Sequence, residues 1–275
     1  MNKVAPTAWL VAYRRTLSDI PLGGDIFGLL EKPDISDDLL RPRSAPQFEA
    51  RYKLVNKLLK KSNTKQVLEL ASGLSPRGLN EAKNFDVYVE NDLPDITKQK
   101  KSIYRALLES DVIQSQPDNL YIVAGDVLKD PLFEQVTNYF NNRRPIAVIN
   151  EGLMRYLNFE QKESLAHHIH ALLKQHGGVW INPDISLKSI QLSEDASNKG
   201  HVAKISQLTG VDIASNRFEN VDHARKFFEN LGFIIETHSY LEVTNDLYSI
   251  KKLGITDDEL KLLNGDAVVF VMRAI

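Results

Sequence analysis

The sequence predicts an α/β fold built around one seven-stranded sheet whose last strand runs antiparallel to the others. Short runs of β-branched and other apolar residues alternate with longer amphipathic stretches, which is the pattern of parallel strands joined by helical crossovers. Seven such runs occur, and no clear helix separates the last two. The chain has 275 residues, 43% of them hydrophobic, which is enough to bury one large core.

The predicted strands follow one another from residue 66 almost to the end of the chain. They are residues 66–71, 85–91, 119–125, 145–151, 178–184, 233–243 and 267–274. Helices are predicted between them, over residues 95–110, 131–142, 159–176 and 221–231. The third helix has Asn158 as its expected N-cap and is expected to end at Gly177.

A loop and a short helical turn are predicted between the last two strands, so we expect these strands to be antiparallel neighbours. Five parallel strands followed by such a hairpin is the layout of class I methyltransferases, a Rossmann-like fold.

Two segments fall outside the alternation. Residues 1–62 are predicted to form a helical cap over the strand ends, and the apolar spacing in "QFEARYKLVNKLLKK" gives that cap its strongest helix. Residues 185–220 are a polar insert with one predicted helix near 198–209. Both segments could close over a ligand. We therefore expect a single domain over residues 1–275, with the cap at 1–62 and a core at 63–275 that carries the insert.

Composition excludes several classes of function. The formal net charge of −2 provides no general field for nucleic acid or an anionic membrane, and we expect neither as a partner. The chain has no cysteine, so disulfides and cysteine-ligated metals are excluded. The apolar part of the first residues is too short for a convincing secretory signal. We expect a cytoplasmic protein, and the sequence does not indicate its oligomeric state.

The stretch "VLELASGLSPRGL", residues 67–79, places a tight turn after the first predicted strand. Ligands of open α/β sheets lie beyond the carboxyl ends of the strands, so Glu69, Ala71 and Gly73 are candidates to contact one. Glycine-bearing turns are common in α/β proteins of every function, which leaves a purely structural turn as the alternative. The stretch does not match G-x-G-x-x-G, and this favours a ligand without phosphates over a dinucleotide.

Acidic residues follow the next two predicted strands. Glu90 and Asp92 come about twenty residues after the turn, where a carboxylate can accept hydrogen bonds from both hydroxyls of a ribose. Asp126, in "AGDVL", could accept from an adenine amino group while the following amide donates to the ring. The alternative is that Glu90 and Asp92 only cap the following helix. Together with the turn, these acids indicate a nucleoside site.

At this point the sequence resembles a known family. "VLELASGLSPR", "VYVENDLPDITKQK", "AGDVLKDP" and above all "INEGLMRYL" are similar to the leucine carboxyl methyltransferase family, which includes polyketide O-methyltransferases of the tetracenomycin type. The similarity runs over residues 48–160. It implies a class I fold, S-adenosylmethionine as the methyl donor, and an oxygen, often a carboxylate, as the acceptor on a small molecule.

The resemblance also implies roles for individual residues. The positions that match the family's cofactor-binding residues are Arg51, Gly73, Asp92, Asp126, Val127 and Glu151. Arg51 would hold the carboxylate of the cofactor, and Glu151 would lie near its amino acid portion. Ala71 stands where the family has its middle glycine, which tightens the approach of the cofactor. For Arg77 we expect a structural role.

The sequence identifies the residues that would act on the acceptor less directly than the cofactor-binding residues. A carboxylate acceptor needs no catalytic base at neutral pH, whereas a hydroxyl would benefit from one. Tyr13, Arg14 and His201 are the candidates for the acceptor side, and the catalytic residue is not identified. The histidines of "HHIH", 167–170, are expected on a solvated helix face rather than on a metal.

Other classes of function fit the sequence less well. A nicotinamide dehydrogenase should show the missing glycines. A nucleic-acid amino methyltransferase should carry its proline motif after the fourth strand, where this chain has "NEGLMRY". The alternative that stays open is a non-catalytic protein that binds S-adenosylmethionine or a partner on a methyltransferase scaffold.

Overall fold

The computed structural model of the chain describes residues 5–190 and 200–275, and seven strands form one mixed sheet in the order β3-β2-β1-β4-β5-β7-β6. The strands are β1 (Gln66–Leu70), β2 (Val87–Asp92), β3 (Leu120–Ala124), β4 (Ile146–Asn150), β5 (Gly178–Asn182), β6 (Phe233–Ser239) and β7 (Val268–Ala274). The first five strands are parallel, and β7 pairs antiparallel with both β5 and β6. This confirms the predicted class I methyltransferase layout. The strand order also places the reversal of the chain between β1 and β4, where open sheets bind ligands.

Helices cover both faces of the sheet. They are α1 (Ala5–Arg15), α2 (Gly23–Gly28), α3 (Ala45–Lys61), α4 (Arg77–Glu81), α5 (Pro94–Glu109), α6 (Asp130–Thr137), α7 (Phe159–His176), α8 (His201–Thr209), α9 (Val221–Asn230), α10 (Tyr248–Leu253) and α11 (Asp257–Asn264). Side chains of α6, α7 and α9 share one apolar cluster with the sheet, and those of α3 and α5 share another. The sheet is therefore buried on both faces, as a largely parallel sheet requires.

The capping of α7 follows the sequence closely. The side chain of Asn158 accepts from the backbone of Gln161, and the side chain of Gln161 accepts in return from the backbone of Asn158. Gly177 ends the helix with a φ of 71°, a left-handed conformation that glycine adopts without strain. Both predicted ends of this helix are confirmed.

Two predicted elements are too long. The strand predicted over 233–243 ends at Ser239, because the Ser239 and Glu242 side chains form a capping box that starts a 3₁₀ helix over Tyr240–Asp246. The helix predicted over 131–142 ends at Thr137, and the chain continues in tight turns whose backbone N–H groups bond three residues back. Between β6 and β7 the chain forms α10 and α11 rather than one short turn.

The N-terminal segment does more than cover the strand ends. The later part of α3 packs its Leu54, Val55 and Leu58 side chains on the face of the sheet, while Phe48 and Arg51 near its start reach the carboxyl end. Trp9 and Leu10 of α1 pack against Val202 and Ile205 of α8. The helix predicted near 198–209 begins at His201, and residues 198 and 199 lie outside the described residues. The cap and the insert thus meet above the strand ends.

Among the described helices, none is long and apolar enough to cross a lipid bilayer.

Candidate functional site

Within the described part of the chain, three cavities open at the carboxyl end of the sheet. The strand-end cavity is lined by residues that follow β1 to β4, namely Ala71, Asn91, Asp92, Leu93, Ile96, Gly125, Asp126, Val127, Leu128, Gly152, Leu153, Tyr156 and Leu157, with Ala8 of α1. The cap cavity lies between α1, α3, α8 and the turn after β4, and the β5 cavity lies beyond β5 and β7. Gln47, Phe48, Arg51 and Arg155 line both the cap cavity and the β5 cavity.

The turn after β1 is held in an unusual conformation. Ala71 and Gly73 both have positive φ, 49° and 52°, on either side of Ser72. The Ser72 N–H donates to the Asn91 carbonyl over 2.9 Å, and the Gly73 N–H donates to the Asp92 carboxylate over 2.6 Å. A left-handed alanine costs about 1–2 kcal/mol, so the bonds to β2 help to hold the turn.

Asp92 and Glu90 have different surroundings although they are two residues apart. Asp92 lines the strand-end cavity and accepts from the Gly73 and Leu93 amides. Burial raises the pKa of its carboxyl, against the effect of those hydrogen bonds. Glu90 is fully buried and accepts from Lys100 at 2.7 Å and Tyr104 at 3.0 Å. No side chain caps the start of α5, so the helix-capping alternative for these acids is not observed among the described contacts.

Asp126 and Val127 line the far side of the strand-end cavity. The Asp126 carboxylate accepts from the Leu128 amide over 3.0 Å, which fixes the turn after β3. Asn91, which the sequence analysis did not single out, donates to the Val123 and Gly125 carbonyls, and its own Oδ1 has no partner in the described part of the chain. Most of the other residues that line the strand-end cavity are apolar.

A buried ionic cluster centred on Glu151 lies beside this cavity. The Glu151 carboxylate pairs with Arg77 at 2.5 Å, Arg51 at 3.1 Å and Arg15 at 3.4 Å. Burial alone would raise the pKa of Glu151, but the charges of Arg51, Arg77 and Arg15 outweigh it and hold that pKa well below its usual range. Arg77 also pairs with Glu69 at 2.5 Å, which confirms the structural role expected for this arginine.

Glu69 is placed differently from the other candidates. Its carboxylate is fully buried and accepts from Arg77 on one oxygen and from the Tyr88 hydroxyl, at 2.7 Å, on the other. It lines none of the three cavities. The structure therefore does not bring Glu69 to the surface that a ligand would contact, because β1 points this side chain under α4 rather than toward the strand end.

Arg51 lies where the cap and β5 cavities meet. One nitrogen donates to Glu151, another is 3.9 Å from Asp184, and its guanidinium stacks over the Phe48 ring. Its Nε is buried and has no hydrogen-bond partner within the described residues. Planar guanidinium groups bind carboxylates in a two-pronged manner, so this side chain could take a carboxylate ligand.

Asp184, which the sequence analysis also missed, builds the turn after β4. It accepts from the backbone N–H groups of Gly152, Leu153 and Met154, and from the Asn150 side chain. A carboxylate that gathers consecutive amides fixes the local backbone strongly. The turn in "NEGLMRY" is thereby held against the carboxyl end of β5.

The three acceptor-side candidates do not all reach a cavity. Arg14 and His201 line the cap cavity, and both side chains are buried. Tyr13 does not line it, because its ring packs against Trp9 and Phe27 on the other side of α1. The structure thus supports Arg14 and His201 as candidates by position and does not support Tyr13.

The "HHIH" histidines have separate surroundings. His167 lies near Glu163, His168 contacts Asp130 at 2.7 Å, and His170 packs edge-on against Phe233. Over residues 5–190 and 200–275, no cluster of metal-ligating side chains comes together.

The polar groups of the strand-end cavity and of the neighbouring cap cavity together fit S-adenosylmethionine. The apolar walls suit a base, Asp92 is an acceptor for hydroxyl groups, and the buried Nε of Arg51 is a donor without a partner in the described structure. The fit depends on these residues alone, and it requires neither phosphate binding nor a metal.

Comparison with known proteins agrees with this geometry. A profile of the leucine carboxyl methyltransferase family matches residues 30–170. No curated protein sequence matches the chain.

Solved structures share the fold at low identity. A DUF574 family protein from Streptomyces avermitilis is 16% identical with a TM-score of 0.58, and the alignment covers 96% of each chain. Magnesium protoporphyrin IX methyltransferase from Synechocystis, solved with bound S-adenosylhomocysteine, is 10% identical with a TM-score of 0.52, over 91% of this chain and 92% of that one. The methyltransferase domain of a bacterial Hen1 protein is 14% identical with a TM-score of 0.51, over 83% of this chain and 98% of that one. At these identities the similarity shows the fold.

Proposed function

The chain belongs to the leucine carboxyl methyltransferase family, whose members use S-adenosylmethionine, and we propose that it transfers a methyl group to an oxygen of a small molecule, either a carboxylate or a hydroxyl. The observation that carries this proposal is the apolar strand-end cavity, which has an acceptor carboxylate on its wall and opens beside the Glu151 cluster. The cavity would hold the nucleoside of the cofactor, and the Glu151 cluster would hold its amino acid portion.

We assign each cofactor-binding residue the role that the family resemblance implies for it. Asp92 accepts hydrogen bonds from the ribose, and Asp126 and Val127 contact the adenine. Arg51 holds the amino acid carboxylate, and Glu151 lies near the amino group. Gly73 and Ala71 border the space for the methionine part. Glu69 supports this set indirectly, since it holds Arg77 against Glu151.

The protein orients the reactants and excludes water. When bound, S-adenosylmethionine supplies a methyl carbon that is already activated by its positive sulfur. Alignment and desolvation can then provide much of the rate acceleration, and no dedicated base is obligatory. The packing of α1 against α8 covers the cap cavity, which is where we place the acceptor.

The lining of the cap cavity is compatible with either oxygen acceptor. The guanidinium groups of Arg14 and Arg155 suit a carboxylate, which is ionised at neutral pH and needs no base. His201 lies in the same cavity and could take the proton of a hydroxyl acceptor. The two cases differ in whether His201 is needed for transfer.

The experiment is a methyl-transfer assay with labelled S-adenosylmethionine and panels of small carboxylic acids, phenols and amines. Mild alkali releases methanol from a methyl ester and leaves a methyl ether intact, so the product identifies the acceptor oxygen. We expect label on an acid or a phenol with the wild type. With Asp92→Ala we expect about 5- to 150-fold less label at subsaturating S-adenosylmethionine, which corresponds to about 1–3 kcal/mol of lost binding. Label on amines alone would contradict O-methylation. His201→Gln is expected to leave ester formation largely intact and to slow ether formation.

A second candidate function is cofactor binding without turnover. The observation that favours it is Ala71, whose side chain lines the strand-end cavity in a left-handed conformation. Saturable binding of S-adenosylhomocysteine without transfer to any member of the panels would favour this candidate over an enzyme.

A further inference from the structure

The cofactor turn after β1 is supported by a buried lysine that lies outside every cavity described above. Lys100, on α5, is 1% exposed, and its ammonium donates to Ser72 Oγ over 3.0 Å and to Glu90 Oε1 over 2.7 Å. Ser72 is the residue between Ala71 and Gly73, the two residues with positive φ. Lys100 therefore contacts Ser72, the middle residue of the turn, from the side of α5.

We propose that Lys100 is a positioning residue for the cofactor, which fixes the turn between Ala71 and Gly73 through Ser72. Lys100 touches no ligand itself. The inference rests on the proposed function, because it concerns the site assigned above to S-adenosylmethionine.

The hydrogen bonds of the turn show why such support is needed. The Ser72 amide and the Gly73 amide tie the turn to β2, through Asn91 and Asp92. The side chain of Ser72 accepts from Lys100, and this bond ties it to α5. With a strained alanine on one side of Ser72, loss of this bond frees the turn to relax toward a more common conformation.

The Glu90 carboxylate anchors the lysine and joins three parts of the site. It accepts from Lys100, from the Tyr104 hydroxyl at 3.0 Å, and from the Gly78 amide of α4 at 3.3 Å. A Cβ on residue 78 would lie 2.6 Å from this carboxylate, so the glycine is required for the close approach. These hydrogen bonds hold the Glu90 carboxylate in place, and the carboxylate in turn fixes the position of the Lys100 ammonium relative to the turn.

The charge of Lys100 also acts on Asp92. Burial raises the pKa of Asp92, the Lys100 charge lowers it, and Glu69 raises it further. Since an ionised Asp92 is the better acceptor for ribose hydroxyls, the lysine favours the binding form of this side chain.

The test measures S-adenosylhomocysteine affinity by calorimetry for three variants that separate positioning from stability. Ser72→Ala removes the bond to the turn and leaves the Lys100–Glu90 pair in place. Tyr104→Phe is the matched control, since it removes another partner of the same Glu90 carboxylate without touching the turn. Lys100→Met combined with Glu90→Gln removes the ammonium of residue 100 without leaving the buried carboxylate of residue 90 unpaired.

We expect Ser72→Ala to weaken binding about 3- to 10-fold, the effect of one lost hydrogen bond, while Tyr104→Phe stays within about twofold of the wild type and loses only thermal stability. In the double variant, affinity should fall by at least as much as in Ser72→Ala, because the hydrogen bond from the ammonium to Ser72 Oγ is lost there too.

Equal affinity of Ser72→Ala and the wild type would overturn the inference. So would equal losses in Ser72→Ala and Tyr104→Phe, or wild-type affinity in the double variant. A wild type that binds no S-adenosylhomocysteine would instead overturn the proposed function, and this inference with it.

Discussion

At the scale of single residues, the most unusual feature is a carboxylate surrounded by arginines from three different elements. Glu151 pairs with Arg15 of α1, Arg51 of α3 and Arg77 of α4. Removing one partner from a buried ionic group typically costs about 3–5 kcal/mol, because the remaining charges are left uncompensated. The cluster therefore couples the N-terminal helices to the strand ends.

The cluster predicts how stability depends on pH. Because the folded-state pKa of Glu151 is depressed, its stabilisation is complete above its unfolded-state pKa of about 4.3 and is lost as the pH falls toward the folded-state value. Glu151→Gln should thus lower the free energy of unfolding by about 3–5 kcal/mol at pH 7 and by clearly less at pH 3.5. Urea denaturation at the two pH values measures this. A deficit that stays constant or grows on acidification would contradict the coupling.

The cofactor-binding assignments predict losses of affinity at two separated residues. Arg51→Ala and Asp92→Ala should each weaken S-adenosylmethionine binding by about 1–3 kcal/mol, the usual scale for a lost hydrogen bond to a charged group. Arg43→Ala is the control, since Arg43 pairs with Glu259 at the surface and lines none of the three cavities. Unchanged affinity of both site variants by calorimetry would contradict the site assignment.

Sequence alone predicts residues that directly follow strands, and it misses residues whose role depends on distant neighbours. Asp92 and Asp126 follow strands that alternation reveals, and both line the strand-end cavity. Arg15 and Lys100 carry no such signal, because their partners are far away in the chain and only the folded chain brings them together. Asp184 does end the predicted fifth strand, but its bonds to the amides after β4 join it to residues that are distant in the chain. Glu69 is the opposite case: the sequence predicts that it contacts a ligand, but it lines none of the three cavities. A position beside the turn does not fix the direction of a side chain.

At the scale of elements, the start of β5 depends on one glycine. Gly178 has a φ of 108°, and a Cβ there would lie 2.0 Å from the Ile146 carbonyl oxygen of β4. The neighbouring Gly177 also has a positive φ, 71°, but a Cβ on it would meet nothing within 4 Å. Two adjacent glycines are thus required for different reasons, one for close strand packing and the other for a helix end.

This contrast gives a prediction with an internal control. Gly177→Ala should destabilise the protein by about 1–3 kcal/mol, because a φ of 71° with a ψ of −178° is a backbone conformation that essentially only glycine adopts. Gly178→Ala should cost more than about 4 kcal/mol, because β4 and β5 would have to separate locally. Chemical denaturation of the two variants measures the difference. Similar losses in both would show that the approach of β4 does not require glycine at 178.

The elements also show what local sequence signals can predict. The capping residues of α7 are local, so both of its ends were predictable. The end of β6 was not, because the apolar alternation continues past Ser239 while a capping box begins a new 3₁₀ helix there. Hydrophobic spacing identifies an element better than it identifies where the element stops.

At the scale of the whole molecule, the sheet layout was predictable and the closure of the site was not. The order of strands and helices in the chain indicates the parallel sheet and its final hairpin, because connections in such folds follow few rules. The contact between α1 and α8 joins segments that are more than two thirds of the chain length apart, through Trp9, Leu10, Val202 and Ile205. No spacing in the sequence encodes that pairing, although it covers the cavity in which we place the acceptor.

The most direct test of the account is calorimetric titration of the purified protein with S-adenosylmethionine and S-adenosylhomocysteine, with NAD as the control. We predict saturable binding of both sulfur nucleosides at one site per chain and no binding of NAD. Binding of neither sulfur nucleoside would contradict the central claim that the strand-end cavity and the Glu151 cluster form a cofactor site.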